Sequence, residues 1–350
     1  MTLEAGLARL IAAEIGRSNC HEAALCVMRQ GETATAAGGA WNGEPVTADT
    51  PFLIASTSKL LVTAMIFRLA DDGLIGLDDA VAQYFPGALD RLLVWHGKDL
   101  TGRITIRQLL THSSGLPDYF EGRRKDGTRL ADRLFAGHDL AYGLAEVIAW
   151  VRDEMTPPFA PGTGRRALYS DTNFYLLTAL LAQVAERSPD AALEDMVTGP
   201  LGLTQTRFFH PGDATLPLRL GNTILDLPQA LASMPGDGGA VSTALELALF
   251  GRAFFDGRLF DPANLAALAD WRRVFFPLQA GLGVLRFHLP WFLPPFQAGL
   301  DFIGHSGISG AFVYHWPKRD VIVSGTVNQL QGRSRPYRIM VKAALLAGAD

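Results

Sequence analysis

Cysteine is scarce in this sequence: Cys20 and Cys26 are the only thiols in 350 residues. They form no C-x-x-C pair, and two sulfurs cannot brace a chain of this length, so a disulfide-built scaffold is excluded. Cys26 falls in a strand-like run, which argues against a local bridge, and both read as buried thiols. Long apolar runs are also lacking. The best candidate, Tyr175 to Ala185, is interrupted by Thr178 and Gln183 and falls short of the roughly 18 residues a membrane span needs. Positive charge is not in excess. The formal net charge is -4, which gives nucleic-acid binding little support. The eight histidines contain no H-E-x-x-H and no zinc-like spacing, so neither a metal nor a cofactor is expected. The first residues carry Glu4 and Glu14 and no basic stretch. That is unlike a secretory signal, and a cytoplasmic protein is expected.

What is present is a sizeable core. Hydrophobic residues make up 48% of the chain and charged residues 19%, the balance of a globular protein with one large domain or two modest ones. Leu3, Leu7, Leu10, Ile11 and Ile15 recur at helical spacing, and the helix should end near Gly16. Ala23 to Arg29 and Thr33 to Trp41 read as two strands of a hairpin turning at Gln30-Gly31-Glu32. Phe52 to Ala55 is a short buried strand. From Thr57 a helical stripe follows through Leu60, Leu61, Ala64, Met65 and Leu69, closed by Gly73.

Residues 76 to 235 read as helices and loops, with Ile106 to Leu110, Leu140 to Val151 and Phe174 to Ala185 helical and no strand-rich unit. Another helix runs from Thr243 to Phe255. Gly310 to Trp316 and Val321 to Asn328 alternate as strands around a tight turn, and Pro336 opens a last helix. Strands thus lie at both ends and helices between. The expected fold is α+β: an antiparallel sheet domain from residues 1–75 and 236–350, flanked by helices, with a mostly helical domain, 76–235, inserted. A site would lie where the two parts meet.

Three short segments carry chemistry. In Ser56-Thr57-Ser58-Lys59 a hydroxyl and an amine three residues on share one helix face. A serine hydroxyl needs a base beside it. Burial and the helix N-terminus both lower a lysine pKa, so Lys59 is a candidate base. The plain alternative is a capped helix start with a solvated lysine. Tyr169-Ser170-Asp171 precedes a helix, and its phenol is placed to shuttle a proton; the alternative is an ordinary cap through Ser170 or Asp171. Gly304-His305-Ser306-Gly307 reads as the opening of the strand up to Trp316, where small residues let a substrate lie against backbone amides. The alternative there is a flexible turn.

The order Ser-x-x-Lys, Tyr-x-Asp, His-x-Gly resembles the serine β-lactamase and penicillin-recognising family, most closely its class C-like branch. That branch includes D,D-peptidases, family VIII carboxylesterases and related amide hydrolases. Ile104 to Pro117, Phe159 to Thr163 and Gly238 to Thr243 match the same family, and the resemblance covers roughly residues 20 to 330. It implies Ser56 as the acylated nucleophile, Lys59 as its base and Tyr169 as the proton shuttle. It implies an oxyanion hole from the amides of Ser56 and Ile308. Asp171, His305, Ser306 and Gly307 fall at substrate-binding positions.

Two departures matter. Asp171 replaces the family's Asn, and an ionised carboxylate cannot donate to a substrate carbonyl; paired with Lys59, it would hold that amine charged. His305 replaces the family's Lys, removing a fixed positive charge where β-lactams place a carboxylate, a form similar to the esterase relatives. The expectation is a serine hydrolase acting on a small ester or amide. The alternatives are a β-lactamase or D-alanyl-D-alanine carboxypeptidase-type hydrolase, or a catalytically silent binding member. An α/β-hydrolase is excluded, because Gly304-His305-Ser306-Gly307-Ile308 lacks the final glycine of G-x-S-x-G. His112 reads as structural and Ser113 and Ser114 as turn residues. The aromatic stretch Arg286 to Leu300 reads as a wall of an acyl pocket. The sequence carries no signal for oligomeric state.

Overall fold

The run Ala23–Arg29 is buried at every position but the last, not at alternate ones, as a strand covered on both faces must be. In the computed structural model, which describes residues 2–17, 19–289 and 300–348, this strand lies deep in an eight-stranded sheet. The strands are β1 (Ala23–Arg29), β2 (Glu32–Gly38), β3 (Arg272–Phe275), β4 (Leu278–Ala280), β5 (Leu285–Leu289), β6 (Leu300–Ser306), β7 (Ala311–Trp316) and β8 (Val321–Thr326). Their order is β3-β4-β5-β6-β7-β8-β1-β2, and every neighbouring pair is antiparallel. Val27 faces Val323 across one junction and Ala34 across the other.

The major helices are α1 (Leu3–Ile15), α2 (Ser58–Asp71), α3 (Asp171–Ala185), α4 (Ala244–Phe255) and α5 (Arg335–Ala347). Leu25, Val27, Phe312 and Val323 meet Leu7 and Ile11 of α1 and Ile339 and Met340 of α5 on one face. Ala24, Cys26, Val313 and Ile322 meet α2 and α4 on the other. Burying a side chain such as Phe250 or Phe254 of α4 stabilises the fold by about 1.5–3 kcal/mol. Both cysteines are free and buried, and burial pushes Cys20 up to about 11 and Cys26 up to about 12. Among the described residues no helix is long and apolar enough to cross a membrane.

Several elements depart from the sequence reading. The strand expected over Thr33 to Trp41 breaks at Gly39, whose φ is 98°; a Cβ there would strike the backbone carbonyl of His21. The helix expected over Leu140 to Val151 is confined to Leu144–Ala149 and runs into a wider turn, Trp150–Glu154. Its first residues are engaged elsewhere: Asp139 accepts from the amides of Gln229 and Ala230, and the amide of Tyr142 donates to Ser233. Residues 76–235 also contain short strands, Val94–Trp95 with Lys98–Asp99 and Leu218–Leu220 with Thr223–Leu225. These two- and three-residue pairings are too short to show as alternation. The helix from Ser58 is buried nearly all round, not along one stripe, because it runs through the core. Arg286–Leu289 and Leu300 are strand residues; the rest of the expected pocket wall, 290–299, lies outside the described residues.

Candidate active site

Ser56 sits where an extended segment turns into a helix. Phe52–Leu53 pairs with Ala240–Ser242, and the amide of Ile54 continues that pairing to Ala240 O at 2.9 Å. The chain then reverses at Ala55, which has φ 45°, a left-handed conformation that costs a non-glycine residue free energy. Ser58 pins the turn by donating to Ala55 O at 2.5 Å and accepting from the Ala240 amide at 3.3 Å. One turn on, Lys59 is fully buried. Its Nζ donates to Ser56 Oγ at 3.1 Å and to the backbone carbonyl of Asp237, and it is ion-paired with Asp171 Oδ1 at 2.6 Å.

The electrostatics differ from the expectation of a lowered lysine pKa. Burial alone does push Lys59 down, but Asp171, then Tyr169 and Asp237, outweigh it and hold the ammonium above its ordinary value. Asp118 stands behind Asp171 and accepts from its amide at 3.2 Å; burial and the nearby Asp171 charge raise it well above the usual carboxylate range. Asp237 accepts from Tyr119 Oη at 2.6 Å, and burial raises it to about 7.

This last shift is a stability statement. Between the ordinary carboxyl value of 3.8 and about 7, the folded protein keeps a proton that the unfolded chain has released. Stability therefore falls as pH rises through that window. Asp237→Asn is expected to gain on the parent protein by an increment that grows from pH 4 to pH 8, on the order of 2–4 kcal/mol at the upper end. Urea midpoints at both pH values check it; an increment constant with pH refutes it.

Tyr169 packs on His112, with ring centroids 4.4 Å apart and planes 27° from parallel. His112 Nδ1 accepts from the Ser170 amide at 3.1 Å, which places the imidazole proton on Nε2. Burial, then Lys59, holds this ring neutral. His112 is thus a platform under the phenol, in line with its structural reading. Ser170 does not cap α3; its hydroxyl donates to Pro117 O at 3.1 Å. Ser114 accepts from the Leu116 amide at 3.1 Å, as a turn residue does. Lys59 Nζ is 5.4 Å from the Tyr169 ring centroid. Burial raises the phenol pKa, opposed chiefly by the Lys59 charge.

The segment Gly304-His305-Ser306 closes β6 instead of opening the following strand. The strand phase sends neighbouring side chains to opposite faces. His305 is buried near Tyr169, with centroids 6.1 Å apart. Its Nδ1 donates to Ser306 O at 3.0 Å, and burial, then Lys59, pushes its pKa down to about 3, so the ring is neutral. Ser306 instead engages Tyr337 Oη at 2.5 Å and accepts from Tyr314 Oη at 3.4 Å. A Cβ on Gly307 would collide with Ile54 O and Ala55, so glycine lets the end of β6 touch the turn before Ser56. Ser309 Oγ fastens the same junction to Leu53 O at 2.7 Å. The amides of Gly307 and Gly310 are used within the turn, the first to Ala311 O and the second to Gly307 O. Ile308 lies between them, opposite the first helical turn of Ser56.

Two hollows meet at Ser56, Asp171, Ile308 and Phe120. A cleft of about 180 Å³ includes Tyr169, Ser306, Gly307 and Tyr337, and an apolar cavity of about 60 Å³ includes Leu218, Leu231 and Met234. Arg286–Leu289 and Leu300 line neither. Of the expected site residues, Ser56, Tyr169, Asp171, Ser306, Gly307 and Ile308 line these hollows, while Lys59 lies buried behind Ser56 and His305 buried beside Tyr169. Missed in the sequence were Asp237, Asp118 and Tyr337. A lone acid among glycines in Gly236-Asp237-Gly238-Gly239 was the available signal for the first; the other two carried none. Among the described residues no group of three His, Cys, Asp or Glu is placed to hold a metal ion.

This chain is similar to known proteins in sequence and in fold. Penicillin-binding protein 4* of Bacillus subtilis is 27% identical over 166 residues, which is 47% of this chain and 32% of that protein, so the match spans about a third of the relative's own length. The D-amino acid amidase from Ochrobactrum anthropi SV3 superimposes with a TM-score of 0.78 at 21% identity, covering 98% of each chain. EstCE1, described as a hydrolase with promiscuous acyltransferase activity, gives 0.77 at 20% identity, covering 97% of this chain and 98% of its own. These two likenesses speak for the fold. With the sheet, the inserted helices and the Ser56–Lys59–Tyr169 cluster in place, and with the Beta-lactamase family model matching residues 7–347, this chain belongs to the Beta-lactamase family.

Proposed function

We propose that the protein is a serine hydrolase that cleaves small esters or amides through an acyl-enzyme on Ser56, in a cleft between a sheet domain (1–75 and 236–350) and an inserted helical domain (76–235). The observation that carries this reading is Lys59 Nζ at 3.1 Å from Ser56 Oγ, on the wall of a cleft that also holds Tyr169. Lys59, in its amine form, takes the hydroxyl proton as Oγ bonds to the acyl carbon. The amides of Ser56 and Ile308 receive the oxyanion; losing one such donor typically costs about 2.7–4 kcal/mol. Tyr169 protonates the leaving oxygen or nitrogen as its bond to carbon breaks, and later helps water release the acyl group. Ser306 and Gly307 form the edge along which substrate lies, with His305 buried behind them beside Tyr169. Asp171 acts here mainly through Lys59.

His305, held neutral, gives a substrate carboxylate no cation where the family carries lysine, and Lys59 is already paired with Asp171; both favour esters and simple amides over β-lactams. The test is intact mass after exposure to a fluorophosphonate, then to a panel of esters, D-amino-acid peptides and β-lactams. A covalent adduct on Ser56 and faster turnover of p-nitrophenyl butyrate than of nitrocefin are expected. A folded protein with no adduct points to a binding-only member; equal turnover of the two substrates points to a β-lactamase.

A further inference from the structure

The two hollows beside Ser56 differ in chemistry. The cavity wall is mostly apolar, with Leu134, Leu218, Leu227, Leu231 and Met234 beside the rings of Phe120 and Phe135. Its ionisable groups, Asp171 and Asp237, are both acidic and both near Lys59. The cleft is wider and more polar, and Arg333 and Glu121 form an ion pair there. Tyr169 lines the cleft and is not among the cavity walls. The two spaces share Ser56 and Ile308, whose amides would hold the carbonyl oxygen.

Resting on the hydrolase reading above, we infer that the substrate's acyl group is neutral and apolar and enters the apolar cavity, while the leaving group lies in the cleft. The argument is geometric. When the Ser56 Oγ–carbon bond has formed, the carbon–heteroatom bond breaks and its electron pair takes a proton from Tyr169. The leaving atom must therefore lie on the phenol's side. With the oxyanion fixed at Ser56 and Ile308, the remaining substituent of the carbonyl carbon points the other way, into the cavity. An aliphatic chain gains there by leaving water. An acyl carboxylate would meet Asp171 there, and the nearby cation, Lys59, is already paired with that acid, which opposes it.

The assignment makes acyl and alcohol preferences separable. Leu231 and Leu218 are half-buried cavity residues, so a larger side chain at either has room to be accommodated at the rim. Leu231→Trp is expected to lower the kcat/KM ratio of p-nitrophenyl hexanoate to p-nitrophenyl acetate by about tenfold or more. The ratio of benzyl to methyl butyrate should stay the same. Phe275→Ala, in the exposed cleft rim, should move the second ratio and not the first. Leu218→Trp repeats the cavity arm if Leu231→Trp does not fold. For the parent protein, p-nitrophenyl hemisuccinate should be turned over at least about tenfold less efficiently than the butyrate. An unchanged acyl ratio in both tryptophan variants, or an acyl ratio that responds to Phe275→Ala, overturns the assignment. A parent protein that forms no acyl adduct at Ser56 with any ester overturns the hydrolase reading instead.

Discussion

Lys59→Ala is expected to reduce the rate of Ser56 acylation by about 10⁴-fold or more, the scale seen when one member of a nucleophile–base unit is removed. The reason is the crowding around Nζ. It donates to Ser56 Oγ and to Asp237 O and is ion-paired with Asp171, so its loss removes the amine held against the hydroxyl. Burst kinetics with p-nitrophenyl butyrate measure the effect, and Lys59→Met, which keeps the buried stem, separates lost chemistry from lost packing. A burst retained in both variants would reassign the base. The companion variant runs the other way. Asp171 is the largest influence keeping Lys59 charged against its burial. Because the base must be the free amine, kcat/KM should rise with pH in the parent protein. Asp171→Asn should move that ascending limb to lower pH, by about 1–3 units. A limb that stays in place shows that Lys59 is not the group titrating.

Glu22→Ala is expected to destabilise the fold by about 3–5 kcal/mol, because it strands a partly buried guanidinium. Glu22 is 1% exposed. It accepts from Arg219 Nη2 at 2.6 Å and Nε at 2.8 Å, and from Asn328 Nδ2 at 2.9 Å. The three residues come from the start, middle and end of the chain, and they tie the Leu218–Leu220 strand to the edge of β1 and β8. The amide of Leu330 also donates to Arg219 O at 2.9 Å. Since Leu218 and Leu330 both face the apolar cavity, the cluster also sets the cavity's shape. Urea midpoints measure the loss; a midpoint within experimental scatter of the parent shows that the ion pair and its desolvation cancel.

The residues legible in the sequence were those whose roles follow from local spacing. Ser56 and Lys59 are one helical turn apart, and β1, β7 and β8 are apolar enough to announce themselves. That Asp171 would pair with Lys59 and hold it charged was readable from an acid standing where an amide is usual, but whether this would outweigh the burial that lowers a lysine pKa was not. That depends on a balance between burial and several charges brought from three segments. The apolar cavity was invisible for a related reason. Its walls come from many separate stretches, none with a motif, while the conspicuous aromatic run near residue 290 drew the pocket assignment instead. His305 was placed at the wrong end of its strand because glycines on both sides of it mimic a turn.

The sheet order carries a consequence for biosynthesis. Strand β1 is flanked by β2, made next, and by β8, made last of the eight strands. As the chain leaves the ribosome, the first hairpin must wait with one apolar edge uncovered from the end of β2 at Gly38 until β8 begins at Val321, a long interval in which chaperones have reason to engage it. The same delay acts as a safeguard. On the proposed mechanism Ser56 and Lys59 are translated early, but Ile308, whose amide would complete the oxyanion hole with that of Ser56, arrives only with the closing strands, so a nascent chain would hold the hydroxyl without the means to use it.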